Sequence, residues 1–185
     1  MKLVGISGSL RAGSYNSALL RAAAGLMPEG ARLEIVEIDA IPLYNGDTEE
    51  RDGIPASVAD LKQRIAESAG LLVATPEYNH SVPGVLKNAI DWASRPPTEV
   101  RGIFHGKPVA LMGASPNRFG TALAQTAWLP IFRTLGLRQW REELLAVHDA
   151  DGCFDERGLV DPAVRERLRH FLTGFVAFIR NGGNG

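Results

Sequence analysis

The chain has 185 residues, 45% of them hydrophobic, and a formal net charge of −1, which fits one domain with a sizeable core better than two domains. Near-neutrality excludes a global attraction to nucleic acid or to an anionic membrane surface, and no segment approaches the roughly 20 apolar residues that a membrane helix needs. The one cysteine, Cys153, excludes an intrachain disulfide and favours a reducing compartment.

Taken in chain order, apolar runs alternate with longer segments of helical period. Residues 2–7 (KLVGIS) read as a buried strand. Residues 14–27 read as a helix with Leu19, Leu20, Ala23 and Met27 on one side, and 33–38 (LEIVEI) as the second strand. A helix is predicted over 55–69, with Val58, Leu61, Ile65 and Ala69 aligned, then a third strand at 71–75 and a short helix at 85–92. Residues 108–113 (PVALMG) form the fourth predicted strand, 120–135 the fourth helix and 144–147 the fifth strand. The last helix begins at Asp161, an N-cap followed by Pro162 at the first helical position. Its apolar stripe is Val164, Leu168, Phe171, Leu172, Phe175 and Ile179.

Such alternation implies an α/β three-layer sandwich around a five-stranded parallel sheet, and the flavodoxin-like order 2-1-3-4-5 fits it. One domain over residues 1–180 is expected, with a flexible tail at 181–185. The longest irregular stretches, 41–54 and 93–107, are expected to be loops beside the site. The apolar part of MKLVGISGS is too short for a signal peptide. With the single cysteine, this makes a cytoplasmic protein the expectation.

Ligands in doubly wound sheets bind beyond the carboxyl ends of the strands, so the chemistry is sought in three loops: 8–16, 75–83 and 114–120. The first places small residues and Arg11 between a strand and a helix N-terminus, whose free N–H groups and partial positive charge suit a phosphate. Ser9, Ser14 and Asn16 add side-chain donors, and the Arg11 guanidinium matches phosphate oxygens. Gly8 and Gly13 have the spacing of a Walker loop, but Ser14 stands at its lysine position, which argues against an ATPase or GTPase. No GxG exists for a dinucleotide loop, although Asp39 after the second strand leaves that option open. A monophosphate site such as that for flavin mononucleotide conflicts with nothing. The bland alternative is an ordinary Gly- and Ser-rich turn capped by Ser14.

The second loop is stiffened by Pro76 and Pro83 and carries Glu77, Tyr78, Asn79, His80 and Ser81 between them. A rigid polar edge with one aromatic is suited to a flat heteroaromatic ring. The alternative is a conventional loop with a solvated His80. The segment HDADGCFDE at 148–156 has a faint metal-binding look, without the spacing of a calcium loop or a zinc protease helix. Cys153 has no evident activating base, and no GxSxG elbow is present.

The stretches GSLRAGSYN (8–16), PEYNHSVPGVLKNAIDW (76–92) and GKPVALMGASPNRFGTALAQ (106–125) together resemble the NADPH-dependent FMN reductase family, which includes bacterial chromate and quinone reductases. The resemblance spans residues 2 to about 147. It implies a flavodoxin-like fold binding FMN, with Ser9, Arg11, Ser14 and Asn16 at the phosphate and Tyr15 of the same turn among the cofactor-binding residues. It further implies Pro76, Glu77, Tyr78 and Asn79 along the isoalloxazine ring and Ser115 on its other side. NADPH or NADH would reduce the flavin, and quinones, free flavins, azo compounds or oxidised metal ions would reoxidise it in a ping-pong cycle. The cofactor carries that chemistry, so no catalytic side chain and no metal is implied. Arg101, His105 and Lys107 are candidates for the nucleotide phosphates, with a solvated basic loop as the alternative. The resemblance also implies a homodimer or homotetramer, the usual assemblies of the family. Asn117 stands where the family favours glycine, and Asn tolerates the left-handed region. Pro130 interrupts the fourth helix and puts oligomer geometry in question. A flavodoxin-type electron carrier and a flavin-free regulator of the same fold are the competing readings.

Overall fold

The computed structural model describes residues 1–182. Its centre is a parallel sheet of β1 (Lys2–Ser7), β2 (Arg32–Val36), β3 (Leu71–Ala74), β4 (Pro108–Ala114), β5 (Arg138–Gln139) and β6 (Leu145–Val147). The order is β2-β1-β3-β4-β5, with β6 also paired to β4, so the expected 2-1-3-4-5 winding holds. The fifth position is shared. β5 lies beside the start of β4 (Pro108↔Arg138, Val109↔Gln139) and β6 beside its end (Met112↔Leu145, Ala114↔Val147). The expected fifth strand is β6. The intervening chain leaves the sheet where Trp140 turns into the core against Phe171, at 4.8 Å between ring centroids.

Side-chain alternation puts a separate apolar layer on each face. Leu3, Leu72, Ala110 and Met112 face α1 (Tyr15–Gly25) and α8 (Pro162–Arg180). Val4, Ile6, Val73, Val109 and Leu111 face α3 (Ala56–Glu67), α4 (Gly84–Ala93), α5 (Val100–Phe104) and α7 (Leu129–Leu135). Asp161 caps α8 by accepting from Val164 N–H at 2.8 Å, with Pro162 next to it. Asn181 then caps the far end through Ala177 O. Of the tail expected to be flexible, residues 183–185 lie outside the described residues.

The irregular stretches contain short helices. Residues 41–54 include α2 (Gly46–Asp52), which buries no residue of its own, and 93–107 include a 3-10 turn (Pro97–Glu99) and α5. Residues 41–54 follow β2 and pack on α4, where Asn88 Nδ2 and Trp92 Nε1 both donate to Pro42 O at 2.9 Å. Residues 93–107 instead lead into the amino end of β4, away from the carboxyl edge of the sheet. The expected helix 120–135 is divided into α6 (Ala122–Ala127) and α7 at Trp128, two residues before Pro130. Proline has no N–H to continue the ladder. A two-residue hairpin of β7 (Phe154–Asp155) and β8 (Gly158–Leu159) covers the flank of α1.

Candidate functional site: three strand exits

The sheet ladder runs one residue into each loop. Gly8 N–H donates to Ala74 O (2.8 Å), Thr75 N–H to Met112 O (2.8 Å) and Ser115 N–H to Val147 O (2.9 Å). The three loops therefore leave the sheet in register. Gly8 is where the first meets the second: a Cβ there would lie 2.8 Å from both Pro76 Cδ and Pro83 Cγ. Glycine is required by this close approach.

The first loop closes on itself and opens at the helix. Ser7 Oγ and Ser17 Oγ share a 2.8 Å hydrogen bond, and Ser9 Oγ accepts from Arg11 N–H at 3.4 Å. Ser14 is the N-cap of α1 and accepts from Ser17 N–H at 3.2 Å. The N–H groups of Tyr15 and Asn16, which open the helix, have no acceptor within it. They face the end of the loop together with the helix dipole. The expected side chains divide here. Ser9 and Ser14 are buried with hydroxyl protons still available, and Arg11 is exposed. Asn16 is turned away: its Nδ2 donates to Ala114 O (2.9 Å) and its Oδ1 accepts from Ala114 N–H (3.0 Å). Tyr15 donates to Asp151 Oδ1 at 2.7 Å and lies against Phe154. That hydrogen bond, with burial second, raises the phenol above its ordinary value.

In the second loop, Tyr78 and Ser81 exchange main-chain hydrogen bonds of 3.2 and 3.0 Å around Asn79 and His80. Both central residues have positive φ (50° and 60°), the pattern of a type I′ turn. Tyr78 is thereby held on a tight hairpin and stays half exposed. The Glu77 carboxylate is buried and turned toward α6. Its Oε2 accepts from Leu123 N–H (2.9 Å) and Ala124 N–H (3.1 Å), and Oε1 pairs with His80 Nδ1 (3.2 Å). Thr75 Oγ1, beneath the loop, accepts from Trp128 Nε1 at 3.1 Å.

The third loop begins at Ser115, whose Oγ accepts from Asn117 N–H at 3.2 Å. Asn117 does not use the left-handed region; Gly120 does, at φ 57°. Asn16 thus ties the first loop to the third, Glu77 the second to the helix after the third, and Gly8 the first to the second. Sequence reasoning missed all three ties, which join residues to main chain or to ring carbons far along the chain.

Other sequence candidates lie elsewhere. Arg101, His105 and Lys107 sit before β4, at the amino edge of the sheet, where Lys107 Nζ donates to Ser68 O at 2.6 Å. They correct the expectation of nucleotide phosphate contacts from this segment. The acidic side chains of 148–156 do not converge: Asp149 is on His148, Asp151 on Tyr15 and Asp155 on Arg157. Burial, with Asp161 and Asp149 nearby, pushes the Cys153 thiol up, away from the reactive thiolate. Among the described residues no helix is long and apolar enough to cross a membrane.

A doubly wound α/β fold with a helix N-terminus, an arginine and a rigid aromatic hairpin at its carboxyl edge defines a mononucleotide-binding protein. The chain belongs to the NADPH-dependent FMN reductase family, whose sequence profile matches residues 1–152. It is accordingly an oxidoreductase of FMN and NAD(P)H. An NAD(P)H-dependent FMN reductase of Pseudomonas aeruginosa is 45% identical over 181 residues, covering 97% of this chain and 96% of that protein. A 2-hydroxy-1,4-benzoquinone reductase of a Burkholderia species is 36% identical over 98% of this chain and 97% of its own. The solved structure of FerB, a flavoenzyme NAD(P)H:(acceptor) oxidoreductase of Paracoccus denitrificans, superposes with a TM-score of 0.87 at 32% identity, over 99% of each chain.

The residues present fit FMN. The donors at the first loop are of the kind a phosphate dianion needs. The Gly8 contact leaves no room for a side chain between the first loop and the aromatic hairpin.

Proposed function

We propose that the three loops hold one FMN and that the enzyme passes electrons from NADPH or NADH to quinones, free flavin, azo compounds or oxidised metal ions such as chromate. The observation that carries this reading is the junction of Gly8 with Pro76 and Pro83, which makes the phosphate-type loop and the aromatic hairpin one rigid edge.

Ser9, Arg11 and Ser14 hold the phosphate with their side chains, and Tyr15 and Asn16 with their main-chain N–H groups at the start of α1. Pro76, Glu77, Tyr78 and Asn79 line the ring through the hairpin backbone, with Glu77 keeping that hairpin against α6. Ser115 bounds the ring from the other side. When bound, FMN supplies hydride acceptance at N5 and return of the electrons to a second substrate, and the shared face makes the cycle ping-pong. The chain's own residues need only bind, orient and exclude water, so no side chain serves as acid, base or nucleophile.

Leu10, Tyr78, Val85, Phe119 and Leu123 are all exposed on these loops or the helices that follow them, Phe119 at 72%. Apolar surface of this kind favours a covering partner, and we assign it to a homodimer or homotetramer in the cytoplasm. Light scattering on the purified protein tests the assembly. Steady-state oxidation of NADPH with benzoquinone tests the activity. Parallel double-reciprocal lines are expected, intersecting lines refute the ping-pong order, and no turnover refutes the function.

A further inference from the structure

The sequence nominates cations for the nucleotide at 101–107, and those lie at the wrong edge of the sheet. The cations that do adjoin the first loop are on its outer flank. A cleft of about 380 Å³ starts at Ala12, Gly13, Ser14 and Tyr15 and runs along α1 to Arg21, bounded by the 154–158 hairpin. It continues into a second cleft of about 320 Å³ that shares Ala18, Arg21, Arg157 and Gly158 and ends at Leu159 and Arg165. Ala18, Arg21, Ala22 and Gly25 line it from one face of α1, at the i, i+3, i+4, i+7 spacing of neighbours on a helix. The floor is therefore made of small side chains, with guanidinium groups standing around it.

The charges are not equivalent. Arg157 is committed to Asp155, at 2.8 Å, which neutralises that carboxylate. Glu156 is the other acid lining the cleft. Among the described residues no ion pair engages Arg21 or Arg165. Arg21 from α1 and Arg165 from α8 both line the second cleft, and such guanidinium forks are suited to a phosphate dianion, which a guanidinium binds in bidentate fashion. A flat base and ribose can lie along the alanine floor.

Resting on the function proposed above, we propose that this cleft takes the 2′-phosphate end of NADPH, anchored by Arg21 and Arg165, and sets the preference for NADPH over NADH. The nicotinamide end then lies at the three loops, and the dinucleotide passes over the first loop and along α1. NADH lacks the one group these arginines would recognise.

The test uses the FMN-loaded protein and the double variant Arg21→Ala/Arg165→Ala. Both side chains are exposed, and FMN affinity equal to wild type verifies that the fold is kept. The ratio of kcat/KM for NADPH to that for NADH is expected to fall about tenfold, the scale of a charge-assisted hydrogen bond. An unchanged ratio overturns the proposal. Calorimetric titration with adenosine 2′-monophosphate gives an independent readout: binding to wild type that is lost in the double variant supports the cleft, and equal binding to both overturns it. Inorganic phosphate binding as tightly as the nucleotide also overturns it, since the site is then one for free phosphate. If wild type oxidises neither dinucleotide, the proposed function fails, and the titration still decides the cleft.

Discussion

Asn16, in the first turn of α1, holds both main-chain polar groups of Ala114 at the end of β4, donating to its carbonyl at 2.9 Å and accepting from its N–H at 3.0 Å. A side-chain amide carries an acceptor oxygen and a donor nitrogen side by side, so one residue can do both at once. It fixes the helix N-terminus on the strand that feeds the third loop. Asn16→Ala leaves two buried backbone groups unpaired, each at a cost of about 1–3 kcal/mol. Denaturant unfolding is expected to show that loss, with FMN affinity weakened as the loops lose their common frame. Full stability in the variant would mean that the tie does not matter.

Arg11 behaves differently. It is exposed and has no protein carboxylate to satisfy among the described residues. Arg11→Ala is expected to leave the apo-protein as stable as wild type. FMN binding should weaken by about 1.5–3 kcal/mol, the scale of a charged hydrogen bond. Fluorescence titration measures it, and unchanged affinity removes Arg11 from the phosphate site.

A methyl group at Gly8 would press on two proline rings of the second loop, each 2.8 Å away, and on Leu86 Cδ2 at 3.0 Å. Ring carbons cannot swing aside as a flexible side chain does, so the loop itself must shift. Gly8→Ala is therefore expected to cost about 1–3 kcal/mol, as overpacking does, and to impair FMN binding as well. A variant with wild-type melting temperature and affinity would contradict the close contact.

Glu49 on α2 accepts from Arg95 Nε at 2.8 Å and from Tyr44 Oη at 2.9 Å. The Arg95 hydrogen bond, despite opposing desolvation, holds its carboxyl below the ordinary 4.5. A depressed folded-state value contributes stability above the unfolded value, and that contribution is lost as pH falls through the folded one. The stability difference between wild type and Glu49→Gln is thus expected to be complete above pH about 5 and to fade in more acidic solution. Thermal melts of both proteins over that range check the sign. A difference that grows on acidification would contradict it.

Periodicity and end signals made most of the fold legible. Asp161 and Pro162 mark the start of α8, and buried runs such as PVALMG mark strands that are covered on both faces. The helix α2 was invisible because GDTEERD buries nothing and so carries no apolar stripe. The broken fifth strand was hidden because Trp140 leaves the sheet for Phe171 and Phe175, a tertiary choice with no local signature. At the site, the loops and their residue types could be read, but the directions of side chains could not. Asn16 and Glu77 look like ligands in the sequence, yet their side chains hold main chain 98 and 46 residues away. A hydrogen bond to backbone leaves no trace in the identity of its partner.

On the function proposed above, the three strand exits hold FMN where NADPH can reduce it. The most direct measurement is an absorbance titration of the purified protein with FMN, followed by anaerobic addition of NADPH. Retention of one equivalent of flavin per chain, bleached by NADPH in the absence of dioxygen, is the predicted result. Flavin that passes freely through a filter, or that stays oxidised with NADPH present, would contradict it.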